Sequence, residues 1–247
     1  MAHVSTRRLR IPAQHVTSAD QLLVTKRRHL RSIAALVVVQ TCLLAIPNAQ
    51  AQSSPYGMVT HDMDSLRANK VVELGARFAR ISVRWWQIEP TKGHFVWNTL
   101  DDYVWNQAMP RDIRLFVSLG EPPAWAGGGS AHNGHPADPR DWYGFVFAVV
   151  SRYKTYVKHW GIWNEPNLGQ FLDDRSRYQE IAYWARQAIK TADPQALVLG
   201  PEVSEHALDD GWFATVMSNY GRTYFDVITV HTVDDMRSNQ VGMMCRR

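Results

Sequence analysis

The chain has 247 residues, 45% of them apolar, which is enough for one large domain or two small ones. Its formal net charge is +4, but seven of its 27 basic residues and only one of its 23 acidic residues lie in the first 51 positions. The rest carries 20 basic and 22 acidic residues, a net charge of −2, which argues against a nucleic-acid partner. Beyond position 51 the single cysteine is Cys245, which excludes an internal disulfide there.

Residues 1–51 are predicted to form a secretory signal peptide. A basic stretch precedes an apolar run from Ile33 to Ile46, and residues 47–51, Pro-Asn-Ala-Gln-Ala, end in an Ala-x-Ala cleavage site. A membrane anchor is the alternative, but a run of about 14 residues is shorter than the roughly 20 that a spanning helix needs. We therefore expect cleavage after Ala51, secretion to the extracellular space or the periplasm, and no membrane association of the mature chain.

Short apolar runs then alternate with longer helical patterns, an order typical of βα units built on a parallel sheet. Strands are predicted, in chain order, at 56–60, 78–83, 113–119, 159–163, from 197 to at least 199, and at 225–230. Helices are predicted between them at 65–74, 98–109, 141–157, 176–192 and 211–220, with a glycine-rich loop at 127–139.

Six strands and five helices in strict alternation predict an α/β fold, an incomplete (β/α)8 TIM barrel with about six of its eight units, over residues 52–247. A doubly wound open sheet is the alternative. That fold usually carries a glycine-rich phosphate loop after its first strand, and Val-Thr-His-Asp at 59–62 is not one. Polar and aromatic residues also cluster just after the predicted strands, where the active sites of barrels lie.

The sequence Trp-Asn-Glu-Pro-Asn at 163–167 carries the strongest chemical signal. An apolar strand delivers Glu165 to its carboxyl end, and Pro166 ends the strand because it lacks a ladder donor. Glycoside hydrolysis needs such a carboxylic acid, which protonates the leaving oxygen and then acts as a base towards water. Asn164, beside it, is placed to hydrogen-bond the 2-hydroxyl of a sugar. The simpler interpretation is a loop glutamate after a buried strand.

This motif at the end of a fourth strand resembles the acid/base motif of glycoside hydrolase clan A, which includes the cellulase-like family 5 and the β-xylosidase-like family 39. The resemblance covers roughly residues 56–233. It implies a barrel enzyme that hydrolyses O-glycosidic bonds in β-linked oligo- or polysaccharides by a retaining two-carboxylate mechanism, with Glu165 as acid/base and no cofactor. It also implies that Arg84, Asn164 and His231 orient the substrate and the nucleophile.

Two features depart from the pattern of the clan. Position 233 is Val where the clan usually has Tyr, and no seventh strand is predicted to carry the nucleophilic glutamate. Residues 234–247 are predicted to be a polar tail, so the chain is predicted to be truncated at its C-terminus. A non-catalytic carbohydrate-binding remnant and an inactive gene fragment are the alternatives. The sugar, the linkage, exo or endo cleavage and the oligomeric state stay open.

Further strand-end residues are candidates for sugar contact. Glu121, in Gly-Glu-Pro-Pro-Ala-Trp at 120–125, is predicted to bind sugar hydroxyls, and Glu202 is a weaker candidate after the fifth strand. Tryptophan rings suit the flat apolar faces of sugars, and three tryptophans lie at predicted strand ends: Trp85, Trp125 and Trp163. His132 and His135 have no third ligand at metal spacing, so no metal site is predicted.

Overall fold

The computed structural model describes residues 56–129, 132, 134–169, 171, 174–218 and 223–232. The chain divides into two units, Met1–Gln52 and Ser53–Arg247, and all described residues belong to the second. The predicted signal peptide, Val233 and the predicted tail lie outside the described residues. Within the part that is described, no helix has the length and apolar character needed to cross a bilayer.

Six strands form one parallel sheet: β1 (Gly57–His61), β2 (Phe78–Arg84), β3 (Arg114–Gly120), β4 (His159–Ile162), β5 (Leu197–Ser204) and β6 (Val227–His231). Each strand pairs with the next one along the chain. A doubly wound sheet would reverse direction at a switch point, whereas a (β/α)8 barrel adds strands in one direction. The described residues therefore form an incomplete barrel, as predicted.

The α-helices are α1 (Ser65–Glu73), α2 (Trp85–Ile88), α3 (Asn98–Asp101), α4 (Pro139–Tyr153), α5 (Arg175–Ala192), α6 (His206–Asp209) and α7 (Trp212–Met217). The three long ones begin at an aspartate whose carboxylate accepts a backbone N–H of the first turn. Asp64 caps α1, Asp138 caps α4 and Asp174 caps α5. Pro139 occupies the first position of α4, where a missing N–H costs nothing.

The helices predicted over 98–109 and 141–157 differ from the observed ones. The helix predicted over 98–109 is regular only in α3, and continues as a π-helix over Asp102–Ala108 and a 3-10 turn over Met109–Arg111. Here the Asp102 carboxylate accepts from both Asn106 and Gln107, four and five residues ahead. The helix predicted from residue 141 starts two residues earlier and ends at Tyr153 instead of residue 157.

Side chains of the strands alternate between two environments. In β2, Ala79, Ile81 and Val83 belong to the apolar core that the helices cover. The residues between them point to the other face of the sheet, which is the interior of the barrel. On that face Arg80 lies over the ring of Phe116 from β3, 5.8 Å from its centroid. In β2 the interior face therefore carries polar side chains, whereas the face towards the helices is apolar.

Candidate active site

The Trp-Asn-Glu-Pro-Asn motif leaves β4 as a tightly bonded turn. Glu165 has a left-handed backbone, with φ of 43°, and begins the 3-10 turn Pro166–Leu168. Its backbone N–H donates to the carbonyl oxygen of Glu202 at 3.0 Å. Asn167 is buried, and its side-chain amide exchanges two hydrogen bonds with Ser204 at the end of β5. The neighbouring strand thus holds the backbone of the motif in place.

Glu165 and His231 lie in direct contact. Nδ1 of His231, at the end of β6, is 2.9 Å from Oε1 of Glu165, and the side chains are 24% and 30% exposed. An imidazole N–H donates to a carboxylate, whereas a bare ring nitrogen accepts from a carboxylic acid. The contact therefore suits both protonation states that a general acid/base passes through.

Beneath Glu165 lies a buried polar network that the sequence analysis missed. Arg80 of β2, only 6% exposed, donates from Nε and Nη2 to Oε2 of Glu202, at 2.8 and 2.6 Å. The same Nη2 lies 2.7 Å from Oδ1 of Asn164 and 3.1 Å from Oγ of Ser118. The signal for it was a charged residue inside each of two mostly apolar strands, Phe-Ala-Arg-Ile-Ser-Val and Leu-Val-Leu-Gly-Pro-Glu-Val.

Glu202 lies within β5, fully buried, and not after the strand as predicted. Burial raises the pKa of Glu202 to about 7, and Arg80 partly opposes that rise. One carboxylate oxygen faces Arg80, and the other lies 2.9 Å from Oγ of Ser118. Because both oxygens are engaged and none is exposed, Glu202 is unsuited to attack a substrate or to bind its hydroxyls.

Arg84 lies at the end of β2, as predicted. Its described contacts, however, do not include Asn164 or Glu165. Its guanidinium is 3.5 Å from Asp62 Oδ1 and 3.4 Å from Glu121 Oε2. The arginine that touches Asn164 is Arg80, four positions earlier on the same face of the strand. A role of Arg84 in substrate binding stays a prediction.

Glu121 stands at the rim of the barrel, where its side chain is 47% exposed. It accepts a hydrogen bond from Nε1 of Trp86 at 3.2 Å. Beside it a cavity of about 400 Å³ is lined by both polar and apolar groups, among them Asp62, Arg84, Trp86, Leu100 and Tyr103. This volume falls in the range of ligand pockets, although Glu165 does not line it. The predicted contact of Glu121 with sugar hydroxyls stays a prediction.

Two of the three predicted tryptophan platforms are core residues. Trp85 is fully buried and stacks on Phe145 of α4, with ring centroids 4.9 Å apart. Trp163 is 4% exposed and packs edge-on against Trp142 and Phe171. Neither ring offers a face to a sugar, because both rings are buried. The prediction was wrong because a position at a strand end does not fix which way a side chain points. Trp125 is partly buried and stays a candidate.

Neither of the two loop histidines lies in a metal-binding group. Among the described residues no cluster of three or more His, Cys, Asp or Glu side chains is arranged to hold a metal ion. His132 instead stacks on Trp86, with centroids 4.6 Å apart, and His135 lies against Phe171 at 5.8 Å.

Unfavourable backbone conformations concentrate at the strand ends. Seven described non-glycine residues have positive φ, and five of them lie in or just after a strand: His61, Glu121, Trp163, Glu165 and Glu202. Such conformations cost about 1–3 kcal/mol each and persist where the surroundings enforce them, which is common at functional sites. Three of the five are glutamates, so the carboxyl end of the sheet is the part of the fold that carries the candidate chemistry.

No protein-family model matches the sequence. A β-xylosidase from Geobacillus stearothermophilus is 31% identical over 121 residues, a match that covers 42% of this chain and 24% of that protein.

Solved structures of family 39 glycoside hydrolases share the fold. A β-xylosidase from Caulobacter crescentus matches 76% of this chain and 50% of its own, with a TM-score of 0.56 and 22% identity. An enzyme from Xanthomonas axonopodis pv. citri matches 71% and 40%, with a TM-score of 0.56 and 24% identity. The chain thus spans half or less of the length of these relatives, and the likeness establishes its fold as part of a (β/α)8 barrel.

Proposed function

We propose that this protein is a glycoside hydrolase that cleaves O-glycosidic bonds in β-linked oligo- or polysaccharides, with Glu165 as its general acid/base. The observation that carries the proposal is the pairing of Glu165 with His231 at the carboxyl ends of β4 and β6. The sequence match to a β-xylosidase and the family 39 fold support a carbohydrate substrate. A xyloside is therefore the first substrate to try.

In the proposed reaction Glu165 donates its proton to the glycosidic oxygen while the bond from that oxygen to the anomeric carbon breaks. As a carboxylate it then takes a proton from the water that attacks the anomeric carbon. His231 holds the carboxyl group in both states through the 2.9 Å contact. A retaining route adds a second carboxylate as nucleophile, which the clan resemblance assigns to a glutamate after a seventh strand; residues 233–247, which follow the described part, contain no glutamate.

The test compares the protein with its Glu165→Gln variant on two aryl β-xylosides that differ in leaving group. Loss of the general acid is expected to lower kcat/KM about 10²- to 10⁴-fold on the poor leaving group. The loss should be much smaller on an activated nitrophenolate, which departs without protonation. Glu73→Gln is the matched control, because Glu73 is an exposed glutamate at the end of α1 that lies away from the strand ends.

Parent-like rates for Glu165→Gln on the unactivated xyloside would overturn the assignment of Glu165. Oligosaccharide binding by the parent without turnover would favour the carbohydrate-binding alternative. We also propose secretion through the N-terminal signal. Sequencing the exported protein is expected to give Gln52 as its first residue, and an uncleaved N-terminus would contradict this.

A further inference from the structure

A cavity of about 400 Å³ lies at the carboxyl ends of β1 and β2, and Glu165 does not line it. We infer that this cavity is a second sugar-binding site, which takes an uncharged pyranose unit joined to the sugar at Glu165 on the side away from the leaving group. The substrate is then an oligosaccharide rather than a glycoside with a single sugar. The inference rests on the proposed function and adds to it the length of chain that the protein accepts.

The lining of the cavity matches the two kinds of surface that a pyranose presents. The flat faces of a sugar carry C–H groups, which pack on apolar and aromatic side chains such as Trp86, Ile88 and Leu100. The hydroxyls of a sugar need polar partners, and Asp62 and Tyr103 belong to the same lining. A wholly apolar ligand would cover these polar groups without pairing them, whereas a sugar forms hydrogen bonds with them.

The charges at the cavity favour a neutral sugar. The guanidinium of Arg84, which is part of the lining, lies between Asp62 Oδ1 at 3.5 Å and Glu121 Oε2 at 3.4 Å. Two carboxylates therefore surround one guanidinium, so a uronic acid or another anionic sugar would be repelled. Both contacts are long for charge-assisted hydrogen bonds, so a closer hydroxyl oxygen on a ligand would compete well for the guanidinium.

An irregular helix contributes to the lining. Tyr103 lies in the π-helix Asp102–Ala108, a rare structure that occurs frequently at functional sites. Burial raises the pKa of Tyr103, and the neighbouring Asp62 raises it further, so the hydroxyl keeps a proton that it can donate. His61, directly before Asp62, has a left-handed backbone with φ of 59°. Unfavourable backbone geometry therefore accompanies both polar residues, as is common where a site has to be held in one shape.

The cavity lies about one sugar unit away from Glu165. β2 and β4 are separated by one strand, so their ends are about 10 Å apart at the usual spacing of neighbouring strands. Glu165 protonates the leaving oxygen, so the leaving group lies on the side of β4 and β6, and the sugar that is cleaved lies between Glu165 and β2. The next unit of the chain, on the side away from the leaving group, then reaches the cavity.

The experiment compares two aryl β-glycosides with the same leaving group, one of xylose and one of xylobiose. The ratio of their kcat/KM values, xylobioside over xyloside, is expected to exceed about 10 for the parent, as for one or two added hydrogen bonds. Thr99 is an exposed residue of the lining, so Thr99→Trp puts a large ring into the cavity and should lower the ratio about 10-fold. Asn98→Trp is the matched control, because Asn98 is exposed on the same helix, α3, and lies outside the lining.

Tyr103→Phe provides a second variant that hardly changes the volume of the side chain. It removes one hydroxyl from the lining, so the ratio is expected to fall about 3- to 10-fold. A parent ratio near 1, an unchanged ratio in both folded variants, or equal losses on the two glycosides would overturn the inference and leave Glu165 as acid/base.

Calorimetry with xylobiose separates this failure from failure of the proposed function. If the parent hydrolyses neither glycoside, the proposed function fails. Xylobiose binding that is kept in Asn98→Trp and lost in Thr99→Trp would then still support the sugar site. Absence of binding to the parent, or equal binding by the two tryptophan variants, would overturn the inference as well.

Discussion

Replacing Glu202 by glutamine is expected to remove a pH dependence from the stability of the barrel. Burial raises the pKa of Glu202 from an ordinary 4.5 to about 7, with Arg80 opposing the rise. The unfolded chain loses this proton near pH 4.5, whereas the folded chain keeps it until about pH 7. The stability that the retained proton contributes is therefore complete below pH 4.5 and is lost as the pH rises to about 7. The difference between the two pKa values corresponds to about 3 kcal/mol.

Urea unfolding, followed by tryptophan fluorescence between pH 4.5 and 7.5, gives the free energy of unfolding of parent and variant. We expect the parent to lose about 3 kcal/mol relative to Glu202→Gln across this range. Groups common to both proteins cancel in the subtraction. One of them is Asp101, whose pKa is lowered chiefly by its hydrogen bond with Arg152. The reasoning is refuted if the difference in unfolding free energy between parent and variant stays constant with rising pH or shifts in favour of the parent. In that case the effect of Arg80 on the pKa of Glu202 would outweigh that of desolvation.

Three further predictions concern activity and packing. His231→Ala removes the ring nitrogen that contacts the carboxyl group of Glu165, so it should lower kcat/KM on the unactivated xyloside about 10- to 100-fold and change the pH–rate profile. An unchanged pH–rate profile would contradict this. Gly161→Ala should destabilise the fold by about 1–3 kcal/mol because its new methyl overlaps a buried carboxylate and a ring. The added methyl of Gly144→Ala meets nothing within 4 Å, so this variant should stabilise the fold by about 0.5–1 kcal/mol. Equal melting temperatures for the two glycine variants would argue against both of these predictions. Trp142→Phe should cost about 1 kcal/mol more than Trp160→Phe, since the indole N–H of Trp142 donates to a backbone carbonyl and that of Trp160 has no acceptor among the described residues. Chemical denaturation measures both, and a larger cost at Trp160 would contradict the assignment.

The order of the elements was predictable because each strand carries its own local signal. In β2 and β3 apolar residues recur at alternate or successive positions over seven residues. The observed bounds of these strands differ from the predicted ones by one residue. For β5 only the start at residue 197 was predicted, because Gly200-Pro201 interrupts the strand pattern and left its end open. The strand instead continues through an irregular register between Pro201 and Val203, and that extension is what brings Glu202 into the barrel.

The candidate site was predictable only where a short motif marks it. Glu165 and Asn164 lie in one pentapeptide, and the resemblance implied His231, which the fold brings against Glu165. Arg80 and Glu202 are 122 positions apart, and neither lies in a recognisable motif. Their pairing depends on the curvature of the sheet, which brings β2 and β5 face to face across the interior. Spacing along the chain does not contain that information.

The Arg80–Glu202 pair is poorly explained as a device for stability. A buried ion pair often contributes less than apolar residues of the same volume would, because two charges lose their hydration. The adjoining interior position in β4 is even reduced to glycine to make room for the carboxylate. The pair lies directly beneath Asn164, and the backbone of Glu202 accepts the N–H of Glu165. The fold bears this cost where the pair sets the geometry of two site residues, Asn164 and Glu165. We therefore interpret the pair as preorganising a reaction, since fixed donors stabilise a transition state without reorganising when it forms.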